Sequence, residues 1–154
     1  MIARARGNAA NYPNVEFRLG RIEQLSVSDG FVDLVISNCV INLLPEKSNA
    51  FREAFRVLVP GGRLRISDTV PMAEIPDELA GAVADLWACC VAGAVPLAEY
   101  ITAIAAAGFV DVQVLDRRSE LPAVVDQTQL AGVPIERLRG LVETVTVRAV
   151  KPTI

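Results

Sequence analysis

Apolar and polar positions alternate along the chain in short blocks, and each block predicts an element. Residues 1–11 read as a helix that Pro13-Asn14 ends. Val15 to Leu19 reads as a strand closed by Gly20, and Ser28-Asp29-Gly30 as a turn. Phe31 to Ser37 is a nearly continuous apolar run rich in β-branched residues. Such a run suits a strand buried on both faces, as in a parallel sheet. Pro45-Glu46 opens the next helix, with proline in the first turn where its missing N–H costs nothing. Phe51, Ala54, Phe55 and Leu58 then recur at i, i+3, i+4 and i+7, which makes one buried face.

Pro60-Gly61-Gly62 stops that helix, and Arg63 to Asp68 follows as a strand with an acid at its end. Pro76-Asp77-Glu78 opens another helix with its acids at the positive end of the dipole. Pro96 begins one more, with Leu97, Tyr100, Ile101, Ile104 and Ala105 as its apolar stripe and Gly108 as its stop. Val110 to Leu115 is a strand, residues 116–141 are mostly loop, and Thr144 to Val150 alternates as a late strand. Alternating strands and helices imply an α/β sheet, parallel in its early part. The last two strands are expected to pair as an antiparallel edge.

The 154 residues suffice for a single domain, 1–154, with its own core. An apolar fraction of 52% argues against disorder. A net charge of −3 without any block of Lys or Arg gives a nucleic-acid backbone nothing to bind. The most apolar stretch, Leu86 to Ala98, is shorter than the roughly 20 residues of a membrane span, so no membrane partner is expected. The first residues have no signal-peptide core, and a cytoplasmic setting is the default. The three cysteines, Cys39, Cys89 and Cys90, do not suggest a disulfide framework. There is no histidine, which removes the commonest general base and zinc ligand. Chemistry here must use thiols, carboxylates, backbone groups or a bound cofactor.

The run Phe51-Arg52-Glu53-Ala54-Phe55-Arg56-Val57-Leu58-Val59-Pro60-Gly61-Gly62-Arg63-Leu64 resembles the class I methyltransferases that use S-adenosylmethionine. Ile36-Ser37-Asn38-Cys39-Val40-Ile41-Asn42-Leu43 resembles, more narrowly, the Ser-Asn-Cys-Val-Ile-Asn-Leu motif of the arsenite methyltransferases. Trp87-Ala88-Cys89-Cys90-Val91-Ala92-Gly93-Ala94 is similar to the same family's cysteine followed by a Gly-Ala pair, with Cys90 on the family's cysteine. Asn14 to Gly20 and Ile22-Glu23 also fit, so the resemblance runs from residue 1 to about 115.

The resemblance implies an incomplete Rossmann-like α/β sheet, mostly parallel, and S-adenosylmethionine-dependent methyl transfer to trivalent arsenic. It implies Cys39 and Cys90 as ligands of arsenite or thiol-conjugated arsenic, and Ile22, Glu23 and Asn38 at the cofactor. Softness supports the thiols, since soft thiolates select soft, thiophilic centres. Arsenic held by thiolates keeps a lone pair that can attack an electrophilic methyl, so no general base is needed. The enzyme's work is then positioning. Cys39 alone reads equally well as a small core hydrophobe. Cys89 is expected to pack rather than ligate, because neighbours on a helix point about 100° apart. Asp68 ends a strand as well and is assigned no role.

The chain departs from the family's pattern at its start. The first two strands, the glycine-rich turn, the ribose-gripping acid and the family's first cysteine are absent. This suggests a truncated product, a mis-assigned start or one half of a split enzyme. It leaves 15–19 without its neighbour and 31–37 as an exposed apolar edge. The edge is expected to be covered by 15–19 swinging in, by self-association, or by a chain supplying the missing strands. The rival reading is a non-catalytic remnant of a methyltransferase, either a thiol-based arsenite binder or a partner-pairing module.

Overall fold

The computed structural model describes residues 2–9, 11–72, 93–118 and 142–153. Its elements are helix α1 (Ile2–Asn8), strand β1 (Val32–Asn38), a 3-10 turn (Ile41–Leu43), helix α2 (Lys47–Val57), strand β2 (Leu58–Pro71), helix α3 (Leu97–Ala106), strand β3 (Val110–Arg118) and strand β4 (Val142–Val150). The strands form one sheet in the order β1-β2-β4-β3. β1 runs parallel to β2, as its α2 crossover requires, and β4 runs antiparallel to both β2 and β3. Three described strands therefore point one way and β4 points back. The late strands do pair antiparallel; β3 forms the edge and β4 lies inside it.

Helix α2 already ends at Val57, and Pro60-Gly61-Gly62, expected to stop it, lies inside β2, which begins at Leu58. Pairing with β1 jumps from Val32↔Leu58 to Leu34↔Arg63, so the tripeptide bulges out of register. Gly61 takes a φ of +77°, which favours glycine. Its N–H donates to the Lys151 carbonyl and the Lys151 N–H to that of Gly62, both at 2.9 Å. The Lys151 ammonium caps the end of α2, donating to the carbonyls of Phe55 and Leu58 at 2.8 and 2.7 Å.

The core lies between one face of the sheet and the two helices α2 and α3. β2 sends down Leu64, Ile66 and Val70, and β4 sends Val145, Val147 and Ala149. Phe51 of α2 and Tyr100 of α3 meet edge to face with centroids 5.3 Å apart, and Phe55 meets Phe109 likewise at 5.2 Å. Of the expected stripe, Phe51 and Ala54 are buried on α2 and Phe55 is half-buried, while Leu58 is buried as the first residue of β2.

Three expectations change. β1 is not buried on both faces: Val32 and Val35 pack on the core, while Leu34 and Ile36 are 42% and 69% exposed. One face of the strand has α2 beneath it, and no described element covers the other. Residues 15–19 form no strand and do not pair with β1, whose one described sheet neighbour is β2. A strand needs a ladder partner for its backbone groups. Here side chains hold the segment instead, through Arg18 paired with Glu16 and Arg6 donating to the Phe17 carbonyl. Helix α1 ends at Asn8, short of residue 11, and buries none of its residues. The helix expected from Pro76 lies outside the described residues, as does most of the loop assigned to 116–141; residues 116–118 extend β3. No described helix is long and apolar enough to cross a membrane.

Candidate functional site at the carboxyl edge of the sheet

In an open α/β sheet, ligands gather beyond the carboxyl ends of the parallel strands. Here those ends belong to β1 and β2. The chain leaves β1 at Asn38 and turns at Cys39, whose φ of +52° lies in the left-handed region. A residue with a Cβ adopts that region at a cost of about 1–2 kcal/mol. The surroundings hold it there. The Cys39 N–H donates to the Ser67 carbonyl at 2.9 Å, extending the β1–β2 ladder by one bond. Asn42, within the 3-10 turn, is 1% exposed and donates its side-chain amide to the Thr69 carbonyl at 2.5 Å.

Gly93 packs on the same turn. A Cβ at that position would lie 2.0 Å from the Asn42 carbonyl oxygen and 3.3 Å from the Lys47 ammonium. Only glycine fits so close an approach of backbone to backbone.

Beneath the turn lies Asp68, fully buried, as is Tyr100. The Tyr100 hydroxyl donates to Asp68 Oδ2 at 2.7 Å. Burial pushes the Asp68 carboxyl up to about 6, although the Tyr100 bond, the backbone N–H groups of Asn42 and Cys39, and the Lys47 charge all favour its ionised form. Burial pushes the Tyr100 hydroxyl up as well, and Asp68 and then Cys39 add to the effect. Desolvation lowers Lys47, while Asp68, Glu99 and Glu46 pull it back up. Four buried oxygens at this edge, Ser37 Oγ, Asn42 Oδ1, Asp68 Oδ1 and Thr69 Oγ1, have no hydrogen-bond partner among the described residues.

A second part of the edge is built by the loop 21–29. Ile22 and Asn38 both line an apolar cavity of about 430 Å³ that also touches Ile36, Val40 and Ile41. Arg56 on α2 latches the loop in place, donating to the Leu25 and Val27 carbonyls at 3.2 and 2.8 Å and pairing with Glu53 and Asp29. Glu53 in turn accepts from the Leu25 N–H at 2.6 Å. Glu23 faces Arg21 at 3.2 Å, and that hydrogen bond lowers its pKa.

The structure thus brings Ile22 and Asn38 to one cavity wall and sets Cys39 beside them in the chain. Glu23 is engaged by Arg21 at the loop's surface. Cys89 and Cys90 lie outside the described residues. No group of three acidic or thiol side chains among the described residues could hold a metal ion. Sequence reasoning passed over Asp68, Tyr100 and Asn42. Tyr100 sat on an apolar stripe and read as core, yet a buried tyrosine needs a partner for its hydroxyl. An acid ending a core strand is the matching signal.

Comparison with known proteins gives this arrangement a family. Residues 1–128 match the model of a methyltransferase domain. The arsenite methyltransferase of Halobacterium salinarum is 43% identical over 128 residues, which cover 82% of this chain and 32% of that protein. The chain thus spans about one third of that relative's length. The crystal structure of CrArsM, an arsenic(III) S-adenosylmethionine methyltransferase from Chlamydomonas reinhardtii, superposes with a TM-score of 0.62 at 30% identity, over 88% of this chain and 43% of that one. YcgJ of Bacillus subtilis shares the fold at a TM-score of 0.74 and 18% identity, over 99% and 78% of the two chains. A class I methyltransferase sheet, in part, is the fold that the solved structures share with the chain, which belongs to the methyltransferase domain family and within it is similar to the arsenite methyltransferases.

Proposed function

We propose that this chain supplies the arsenic-binding part of an S-adenosylmethionine-dependent methyl transfer to trivalent arsenic, with Cys39 and Cys90 as the ligands. The observation that carries the reading is Gly93. It lies three residues after Cys90, and it packs directly on Asn42, three residues after Cys39. Three residues of chain reach at most about 11 Å. The Gly93–Asn42 contact joins the two stretches of sequence in which the cysteines stand, 51 positions apart, and supports reading them as one site.

Two thiolates at one edge suit trivalent arsenic, which is soft. The coordinated arsenic retains a lone pair, and no protein base has to remove a proton. S-adenosylmethionine, when bound, supplies an electrophilic methyl on a sulfonium centre. The residues present fit one end of that molecule: Ile22 and Asn38 wall an apolar cavity, with Glu23 nearby on the same loop. No described residue here supplies a glycine-rich cradle for its other end. The same reading assigns the outer edge of β1 to a strand from elsewhere, either a preceding segment or a second chain, because Leu34 and Ile36 are otherwise exposed.

Arsenite titration of the purified chain under reducing conditions tests the proposal. Cys39→Ser or Cys90→Ser should abolish binding, and Cys89→Ser should matter less. Equal arsenite uptake by the parent and the Cys39→Ser, Cys90→Ser double variant would overturn it. Retained binding without any methyl transfer, even in a chain that also carries the family's glycine-rich strands, would favour the non-catalytic arsenite-binding remnant.

A further inference from the structure

We infer that Glu53 and Arg56 are positioning residues for the cofactor: together they fix the loop wall of the Ile22–Asn38 cavity and so set the gap open to the purine ring of S-adenosylmethionine. The inference rests on the reading of that cavity as the cofactor's.

The loop has little else to hold it. Residues 21–29 form no helix or strand beyond an isolated bridge between Arg21 and Gln24, and Ser26, Ser28 and Asp29 are exposed. A polar surface segment of this kind, left alone, samples many conformations. Among the described residues, every hydrogen bond from 21–28 to the chain beyond residue 30 ends on one of two side chains of α2. The Arg56 guanidinium donates to the Leu25 and Val27 carbonyls at 3.2 and 2.8 Å, and the Leu25 N–H donates to Glu53 at 2.6 Å. Glu53 and Arg56 stand three residues apart on α2 and are joined to each other by bonds of 2.9 and 2.6 Å.

The groups they hold are backbone groups, and the residues that carry them line the cavity. Leu25 and Val27 join Ile22 as its loop wall, β1 contributes Asn38, and α2 itself contributes Phe51 and Ala54. One helix therefore lines the cavity with its buried face and holds the opposing loop with the adjacent one. A wall keyed to a rigid element keeps its place. That matters for a flat ring, because a loop that must be ordered during binding subtracts the cost of ordering from the affinity. Stability alone gives Arg56 little to do. Its side chain is 32% exposed, and ion pairs that water can reach contribute little to folding. What arginine supplies, and lysine cannot, is a planar fork that reaches two carbonyls and a carboxylate at once.

Adenosine is the probe, titrated at millimolar concentration into the full chain and followed by the methyl resonances of Ile22, Leu25 and Val27. Arg56→Lys, Arg56→Met and Glu53→Gln are compared with the parent for adenosine affinity, for exchange protection of the Leu25 N–H, and for the urea unfolding midpoint. Both Arg56 variants should bind adenosine about tenfold more weakly, the effect of one hydrogen bond from a charged donor. The Leu25 N–H should lose protection in both. Glu53→Gln should lose less, because its amide oxygen still accepts from Leu25. Unfolding cannot imitate the loss, since a variant that is still about nine-tenths folded gives up only about a tenth of its apparent affinity. Parent-like adenosine affinity in both Arg56 variants overturns the proposal. So does full rescue by lysine, or a loss no larger than the unfolded fraction accounts for, which marks a merely structural role. The methyl shifts separate the two readings. If adenosine moves none of the three in the parent, the cofactor reading fails and this inference with it; if it moves them alike and at equal affinity in the parent and in Arg56→Met, only the positioning role fails.

Discussion

Between about pH 5 and about pH 7 the chain should lose stability, and Asp68 is the side chain responsible. Its carboxyl has an ordinary value of 3.8 and is pushed up to about 6 in the folded chain, chiefly by burial. Over that window the folded state holds a proton that the unfolded state has released. Stability therefore falls as pH rises from the unfolded value through the folded one, and is flat above it. The whole shift corresponds to about 3 kcal/mol, of which about 1 kcal/mol falls between pH 5 and pH 7. Among the described residues the background is quiet there. The chain has no histidine, and the shifted glutamates, Glu16, Glu23 and Glu53, are all lowered, so their contribution is lost only in more acid solution. Urea unfolding at both pH values, with and without Asp68→Asn, reads the effect. The parent should be the more stable at pH 5, and the variant should lose that slope because an amide does not titrate. Tyr100 can still donate to the amide oxygen, so the variant should fold. A parent whose stability is unchanged or higher at pH 7, or a variant that keeps the parent's slope, would refute the account of Asp68 as a buried acid.

Three further outcomes are expected. Phe51→Ala should cost about 3–5 kcal/mol in urea unfolding, since it deletes a fully buried ring packed on Tyr100; a cost under about 1 kcal/mol would contradict that packing. Gly93→Ala should lower both the thermal midpoint and the arsenite affinity, because its Cβ would fall 2.0 Å from the Asn42 carbonyl; parent-like values of both would contradict that contact and the proposed site it supports. The 154-residue chain should bind S-adenosylmethionine weakly or not at all in calorimetric titration, because among the described residues the Ile22–Asn38 wall alone is placed to hold it. A micromolar dissociation constant would show that the residues here suffice.

The sequence by itself determined the elements whose periodicity is enforced locally. Phe51, Ala54 and Leu58 repeat at helical spacing, and Val145, Val147 and Ala149 alternate at strand spacing, so the buried face of each could be written down from the residues. The motif around Asn38-Cys39 could be placed after a strand for the same reason. Burial on the second face of β1 could not, since Leu34 and Ile36 are apolar whether or not anything covers them. Nor could the fate of Val15 to Leu19, whose strand pattern is satisfied only by a ladder partner that no described strand provides. The Asp68–Tyr100 bond joins residues 32 positions apart. Nothing local to either one reveals it, because a strand-ending acid and a helix-stripe tyrosine each have an ordinary reading alone. Only the stacking of α3 against the sheet, with Gly93 admitting the chain onto the Asn42 turn, decides that they meet.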